Sequence, residues 1–119
     1  MSRLLHLRNL TRQQSLGTRI KVADTSLTRF VGLLGRSELR EPEGLLIEPS
    51  NSVHMLGMRF AIDVLFLDRE WRAVALYHHL KPFRITRMHW KAVRALELPA
   101  GVLQRSQTTV GDQILAEEV

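Results

Sequence analysis

Short apolar runs separated by frequent turn residues extend along most of the chain, and this pattern predicts strands. Residues 18–23 alternate in polarity and predict a half-buried strand. Residues 44–47 and 60–67 are almost continuously apolar and predict two further strands, the second near the centre of a sheet. The polar residues that follow predict a hairpin turn into a partner strand at 71–77. Later extended segments are predicted within 89–98 and 113–116.

Helical spacing of apolar residues occurs once, shortly after the first predicted strand, and predicts a helix that ends near Gly35. The apolar face of this helix would consist of Leu27, Phe30, Val31 and Leu34. The residues able to cap its start are Asp24, Thr25 and Ser26. One early helix and many short strands favour a mainly β fold, either a small antiparallel β-sandwich or a barrel-like domain.

Length and composition are those of a soluble globular chain. The 119 residues fit one domain spanning 1–119, with 45% hydrophobic and 24% charged residues, although residues 1–17 receive no predicted element. No apolar run approaches the length of a membrane span. Polar residues interrupt the apolar ones near the N-terminus before a secretory segment forms, so we expect a cytoplasmic protein. The absence of cysteine excludes disulfides, thiolate metal sites and cysteine nucleophiles.

The net charge of +5 permits attraction to nucleic acid or another polyanion. Residues 79–91 mix basic side chains with Phe83 and Trp90, a combination able to stack on bases and pair with phosphates. The candidate residues for such a surface are Lys81, Arg84, Arg87 and Trp90. No RNA-binding signature is present, and a basic loop beside the core is the favoured interpretation of this segment.

Several motifs follow one another at defined spacing between the predicted helix and the last strand. They are Arg29, Gly32, Leu33 and Arg36 in R-x-x-G-L-x-x-R, then His54-Met55, Asp63, L-E-L-P-A-G at 96–101, and Gly111-Asp112. In order and spacing they resemble the domain of unknown function 192 family, over about residues 22–112. The resemblance implies a compact β structure and no established activity.

The chain departs from the family pattern in two respects. Leu56, Gly57 and Met58 replace a Lys-Asn-Thr-like triplet of a large subgroup, so a binding role for that triplet does not transfer. The resemblance also implies an N-terminal leader in many members, and none is predicted here.

Asp63 lies inside an apolar strand, where a carboxylate must be paired or hydrogen-bonded. The favoured interpretation is structural, through an ion pair with Arg29 or Arg36 or through backbone hydrogen bonds that lock a turn. The functional alternative makes Asp63 a general base or a ligand-orienting acceptor in a pocket. Glu97 is expected to point outward by alternation, which disfavours an acid–base couple between Asp63 and Glu97.

The leading functional hypothesis is a binding module for a small polar or anionic ligand, in a pocket around residues 54–63. The candidate ligand-binding residues are His54, Met58, Arg59, Asp63, Arg29 and Arg36. One alternative is a hydrolase or isomerase that uses Asp63 or His54 for proton transfer, for which no nucleophile is evident. The other is polyanion binding through residues 79–91.

Metal and cofactor chemistry receive little support from the sequence. His54, Met55 and Met58 are a donor set suited to copper(I), but methionine in an apolar context more often fills a core, so no metal site is predicted. The phosphate-loop, dinucleotide, nucleophile-elbow and zinc-protease motifs are absent, so no cofactor is assigned. The sequence does not define an oligomeric state.

Overall fold

The protein is described by a computed structural model over residues 3–119. It is mainly β, as predicted, and contains seven strands and two short helices. The elements in chain order are β1 Leu4–Asn9, β2 Gln14–Ala23, α1 Ser26–Val31, β3 Glu43–Ile47, β4 Ile62–Leu67, β5 Ala73–Leu80, β6 Arg94–Pro99, α2 Val102–Arg105 and β7 Ile114–Glu118.

All seven strands form one sheet in the order β5-β4-β6-β3-β2-β1-β7. The pair β2 and β3 is parallel and the other neighbouring pairs are antiparallel, so the sheet is mixed. It curves into a half-barrel. Its two edge strands meet at one end, where Ala73 exchanges backbone hydrogen bonds with Gly111 and Asp112 at 2.8 and 2.9 Å.

The inner face of the curved sheet carries the first hydrophobic core. Every strand contributes a buried residue to it, as expected when a sheet wraps around its own side chains. Val102 and Leu103 of α2 add to this core from the end of the half-barrel. The strand residues of this core are Leu5, Leu7, Leu16, Ile20, Leu46, Leu65, Leu67, Ala73, Leu96, Leu98 and Ile114.

The outer face of β3, β4 and β6 carries a second core. Its strand residues, among them Ile47, Val64 and Ala95, pack beneath Leu33, which follows α1, and beneath Met58 in the connection before β4. This side of the sheet is therefore covered by irregular chain. Both faces of the middle strands are buried, which explains why β4 is continuously apolar apart from one carboxylate.

The predicted β4–β5 hairpin is confirmed, but its second strand begins later in the chain than predicted. The Asp68 carboxylate accepts hydrogen bonds from the backbone N–H groups of Glu70 and Arg72, both at 2.9 Å, and so closes the turn. Trp71 has a φ of 63°, which is incompatible with an extended strand. The partner strand consequently begins at Ala73 rather than at residue 71.

The early helix is shorter than predicted, and its apolar face is not buried. Thr25 is its N-cap and forms a capping box with Thr28, while Gly32 ends the helix at a φ of 48°. Leu27 and Phe30 are 71% and 72% exposed. Helical spacing correctly indicated the local conformation, but it did not indicate what would cover the helix.

Residues 3–17, for which the sequence predicted no element, supply β1 and the start of β2, so the strand predicted at 18–23 begins at Gln14. The alternation of Leu5 and Leu7 with His6 and Arg8 was the available signal, and both leucines are buried. Asn9 ends β1 as a buried polar residue, because its amide donates to Thr108 and Asp112, both at 2.9 Å.

Candidate functional site

A cavity of about 160 Å³ lies over the outer face of the sheet. One wall is formed by residues 29–34, which comprise the end of α1 and the turn after it. The other wall is formed by parts of 47–58, and β6 contributes Glu97. The cavity is open to solvent and has room for several water-sized groups.

Glu97 is a carboxylate on a strand that is covered on both faces. It aligns with Leu45 of β3 and Val64 of β4, and it is only 6% exposed. Among the ion pairs of residues 3–119 none involves Glu97, and the residue lines the cavity. Burial raises the pKa of Glu97 to about 7. The expectation that Glu97 points to solvent was therefore wrong, because alternation assigns a face but does not show whether that face is covered.

Arg29 places a positive charge in the wall opposite β6. It lies in the last turn of α1, and its Nη1 donates to the carbonyl of Pro49 at 3.5 Å, the limit of a hydrogen bond. Its Nε is buried and has no hydrogen-bond partner within residues 3–119. A donor buried in this way carries an uncompensated desolvation cost unless a further group reaches it.

His54 and Met58 complete the polar and apolar lining of the cavity. His54 is exposed at the rim, where its backbone forms an isolated bridge with Ile85. Met58 is buried and lines the cavity, whereas Met55 is fully buried in the second core. In the described part of the chain, no three His, Asp or Glu side chains are grouped to hold a metal ion.

Asp63 lies on the face of β4 opposite the cavity. Its neighbour Val64 belongs to the outer core together with Glu97, so alternation directs Asp63 inward. Its carboxylate accepts backbone hydrogen bonds from His79 at 2.9 Å, Gly101 at 3.0 Å and Leu103 at 2.9 Å. The structural interpretation through backbone hydrogen bonds is thus correct, and the expected place of Asp63 beside His54 is not.

The other arginines expected near the pocket do not line it. Arg36 pairs with Glu43 at 3.1 Å instead of with Asp63. Arg59 is exposed and, although it follows Met58, is not part of the cavity wall. Of the six predicted ligand-binding residues, the structure brings together Arg29, His54 and Met58.

The segment 79–91, which starts at the end of β5, lies beside this site and is anchored to it. Backbone hydrogen bonds join Met55 to Arg84 and Phe83, and Thr86 to Val53. Phe83 and Trp90 are nevertheless 71% and 79% exposed. None of the four basic residues of this segment forms an ion pair with residues 3–119; they are Lys81, Arg84, Arg87 and Lys91.

A shallow cavity lies beneath Trp90 and is lined also by Arg87, Met88, His89, Lys91 and Val74. His89 is held there by Tyr77, whose hydroxyl lies 2.8 Å from Nε2, and by packing against Phe66. Burial and then the charge of Arg87 lower the pKa of His89. The base of this exposed segment is therefore fixed to the sheet.

The fold and the cavity define a small half-barrel domain with a polar cleft on its outer face. Residues 8–116 match the domain of unknown function 192 family, DUF192, described as Uncharacterized ACR, and the chain belongs to this family. It is similar to a UPF0127 protein of Pyrococcus furiosus, with 33% identity over 113 residues covering 89% of this chain and 93% of that protein.

Two solved structures share the fold at 20% identity. A protein of unknown function from Novosphingobium aromaticivorans matches with a TM-score of 0.80 over 93% of this chain and 82% of its own. A protein of Sinorhizobium meliloti, named as a candidate transcription regulator, matches with a TM-score of 0.81 over 98% and 94% of the two chains. Identity at this level relates the folds alone. Within residues 3–119, neither helix has the length and apolar character needed to cross a membrane.

Proposed function

We propose that this protein binds a small polar or anionic ligand in the cavity between α1 and β6. The observation that carries the proposal is the pair of charged groups in the cavity wall that lack compensation. Within residues 3–119 the buried Nε of Arg29 has no hydrogen-bond partner, and Glu97, on a buried strand position, lines the cavity without an ion pair. Buried charged groups destabilise a fold unless they are paired, so such groups are typical of sites that an external group completes.

The remaining lining is consistent with recognition of a small molecule. His54 offers a ring nitrogen at the rim, and Met58 with Leu33 supplies apolar surface. A few polar groups set among apolar ones are the usual composition of a ligand site. In this proposal Arg36, Arg59 and Asp63 do not contact the ligand. Asp63 holds the end of the half-barrel instead.

Ligand-induced stabilisation tests this proposal. The purified protein is screened by thermal unfolding against anionic metabolites, amino acids and saccharides, because a ligand at 100 times its dissociation constant adds about 2.7 kcal/mol. An Arg29→Met variant should lose the effect. Arg19→Met, at an exposed position of β2, should keep it. Absence of stabilisation by every class, or its persistence in Arg29→Met, would overturn the proposal.

Segment 79–91 favours a second candidate function, the binding of single-stranded nucleic acid or another polyanion. Exposed aromatic side chains beside basic groups without ion pairs supply both stacking and phosphate contacts. The experiment is fluorescence anisotropy with a labelled oligonucleotide over a salt series. Binding should weaken with salt and vanish in a variant combining Arg84→Ser, Arg87→Ser and Trp90→Ala. Arg69→Ser, in the exposed β4–β5 turn, is the matched control. No binding at low salt would remove this candidate.

The enzyme alternative now rests on different residues. Asp63 is saturated by three backbone donors and faces away from the cavity, so His54 and Glu97 are the proton-transfer groups of that alternative. Ser50 and Ser52 line the same cavity, but within residues 3–119 neither hydroxyl is hydrogen-bonded to His54 or Glu97, and the Ser50 hydroxyl donates to the Ser52 carbonyl. Location in the cytoplasm remains a prediction from the sequence.

A further inference from the structure

We infer that the ligand of the cavity is a small zwitterion, which presents a carboxylate to Arg29 and a protonated amine to Glu97. This inference rests on the proposed function and narrows it to one chemical class, that of small amino acids with a short aliphatic body.

Glu97 argues for a cationic end. Its strand neighbours in the same row are Leu45 and Val64, so no protein group at that level of the sheet is able to donate to the carboxylate. A purely anionic ligand would bring a second negative charge into the same small cavity, where like charges repel strongly. An ammonium group offers several donors and an opposite charge.

Arg29 argues for an anionic end. Nη1 reaches the Pro49 carbonyl, and Nε is the buried side-chain nitrogen left without an acceptor among residues 3–119. A guanidinium presents adjacent N–H groups in a fork that matches the two oxygens of a carboxylate. A neutral hydroxyl would satisfy Nε but would leave the charge without a counter-ion.

The two ends must belong to one molecule that spans the cavity. Among the ion pairs of residues 3–119 none joins Arg29 to Glu97, and burial is the cause of the raised pKa of Glu97. The two charges therefore do not neutralise each other directly. Leu33, Ile47 and Met58 give the cavity apolar lining beside the polar Ser50, Ser52 and His54, and the volume of about 160 Å³ suits a short aliphatic body.

Calorimetric titration with a matched set of probes tests the inference on the full chain. Glycine, β-alanine and γ-aminobutyrate carry both charges at increasing separation, whereas butyrate and butylamine each carry one. At least one zwitterion should bind about tenfold more tightly than either single-ended probe, since a hydrogen bond to a charged group is worth that ratio or more. Glu97→Gln should abolish the advantage over butyrate, and Arg29→Met the advantage over butylamine.

The pH dependence separates the inference from a purely structural effect of these substitutions. The charged or titratable groups in the cavity wall besides Glu97 are Arg29 and His54. Raising the pH through 7 ionises Glu97, so affinity for the zwitterion should rise and affinity for butyrate should fall. Both trends should disappear in Glu97→Gln and keep their direction in His54→Asn.

The outcomes distinguish the two proposals. If butyrate or butylamine binds as tightly as every zwitterion, the cavity binds ligands but the zwitterion assignment is overturned. If no probe binds at millimolar concentration and the wider ligand screen also fails, both proposals are overturned. Circular dichroism of each variant establishes that it is folded before its affinity is compared.

Discussion

Asp63 and Glu97 are buried carboxylates on adjacent strands whose side chains face opposite sides of the sheet. Asp63 aligns with Leu98 in the inner face, and Glu97 aligns with Val64 in the outer face. Asp63 accepts three backbone hydrogen bonds, while Glu97 accepts none from a side chain or loop within residues 3–119. These environments give Asp63 a role in the stability of the fold, whereas the carboxylate of Glu97 remains available to a ligand. An acid–base couple between the two is excluded by the sheet that separates them.

Replacing Asp63 with Asn should destabilise the fold strongly. The amide would keep one acceptor oxygen but turn its NH₂ towards backbone donors of either His79 or α2, because both carboxylate oxygens are in use. We expect a loss of about 3 kcal/mol in the free energy of unfolding, measured by denaturant titration. Faster hydrogen exchange at the Leu103 amide should accompany it.

Asp68→Asn is the matched control for this prediction. Asp68 also accepts two backbone hydrogen bonds, but both go to Oδ1, which the asparagine amide keeps, and the turn is half-exposed. Its substitution should cost about 1 kcal/mol. Equal losses in the two variants would show that burial of Asp63 is not what makes it important.

The buried Glu97 should make stability depend on pH. Its folded pKa of about 7 lies above the ordinary value of 4.5, so the folded state binds the proton more tightly than the unfolded state. The contribution of Glu97 to the free energy of unfolding is favourable at low pH. It falls by on the order of 3 kcal/mol as the pH rises from about 4.5 through 7. The unfolding free energy of the wild type minus that of Glu97→Gln should therefore fall as the pH rises over this range.

Glu70→Gln, at an exposed turn position, should show no such difference. A difference curve for Glu97→Gln that is flat between pH 4.5 and 7 would mean that the carboxylate is solvated or paired in solution.

Thr25 should control the stability of the helix that walls the cavity. Its hydroxyl caps the Thr28 backbone N–H at 3.1 Å, and α1 has no fully buried residue to compensate for loss of the cap. Thr25→Ala should therefore lower the free energy of unfolding by about 1 kcal/mol. Thr25→Ser keeps a hydroxyl and should retain most of the stabilisation that the cap provides. Limited proteolysis between residues 24 and 36 should accelerate only in the alanine variant. Identical cleavage in the two variants would contradict the role of the cap.

Asp112 should stabilise the protein at pH values at which its carboxyl group is ionised. Burial alone would raise the pKa of its carboxyl, but hydrogen bonds from Asn9, the Thr109 backbone and Arg12, with the Arg12 charge, lower it below its ordinary value of 3.8. A lowered folded pKa gives stability that is present above about pH 4 and lost as the pH falls through the folded pKa.

Asp112→Asn should accordingly cost about 2 kcal/mol at pH 7 and less at a pH low enough to protonate Asp112. Asp24→Asn, at a half-exposed side chain 4.0 Å from Arg3, should change stability by about 0.5 kcal/mol or less. A cost for Asp112→Asn that is unchanged in acid would show that the amide–carboxylate contact, and not the charge, is responsible.

The sequence by itself determined the local structure and the family. Alternation and apolar runs located β2, β3 and β4, the Asp68 turn located the hairpin, and the residues before Leu27 located the helix cap. These features depend on backbone preferences within a few residues, so neighbouring side chains suffice to predict them. The motifs that carry the family resemblance are local in the same sense.

Only the tertiary structure decided which candidate residues meet. Alternation placed Asp63 and Glu97 on their strands, but what covers each face depends on elements distant in sequence, α2 for Asp63 and the end of α1 for Glu97. For the same reason the exposure of Phe30 could not be read from helical spacing. Burial and pairing are properties of the packed chain, and they separate a carboxylate that holds the fold from one that is left to face a cavity.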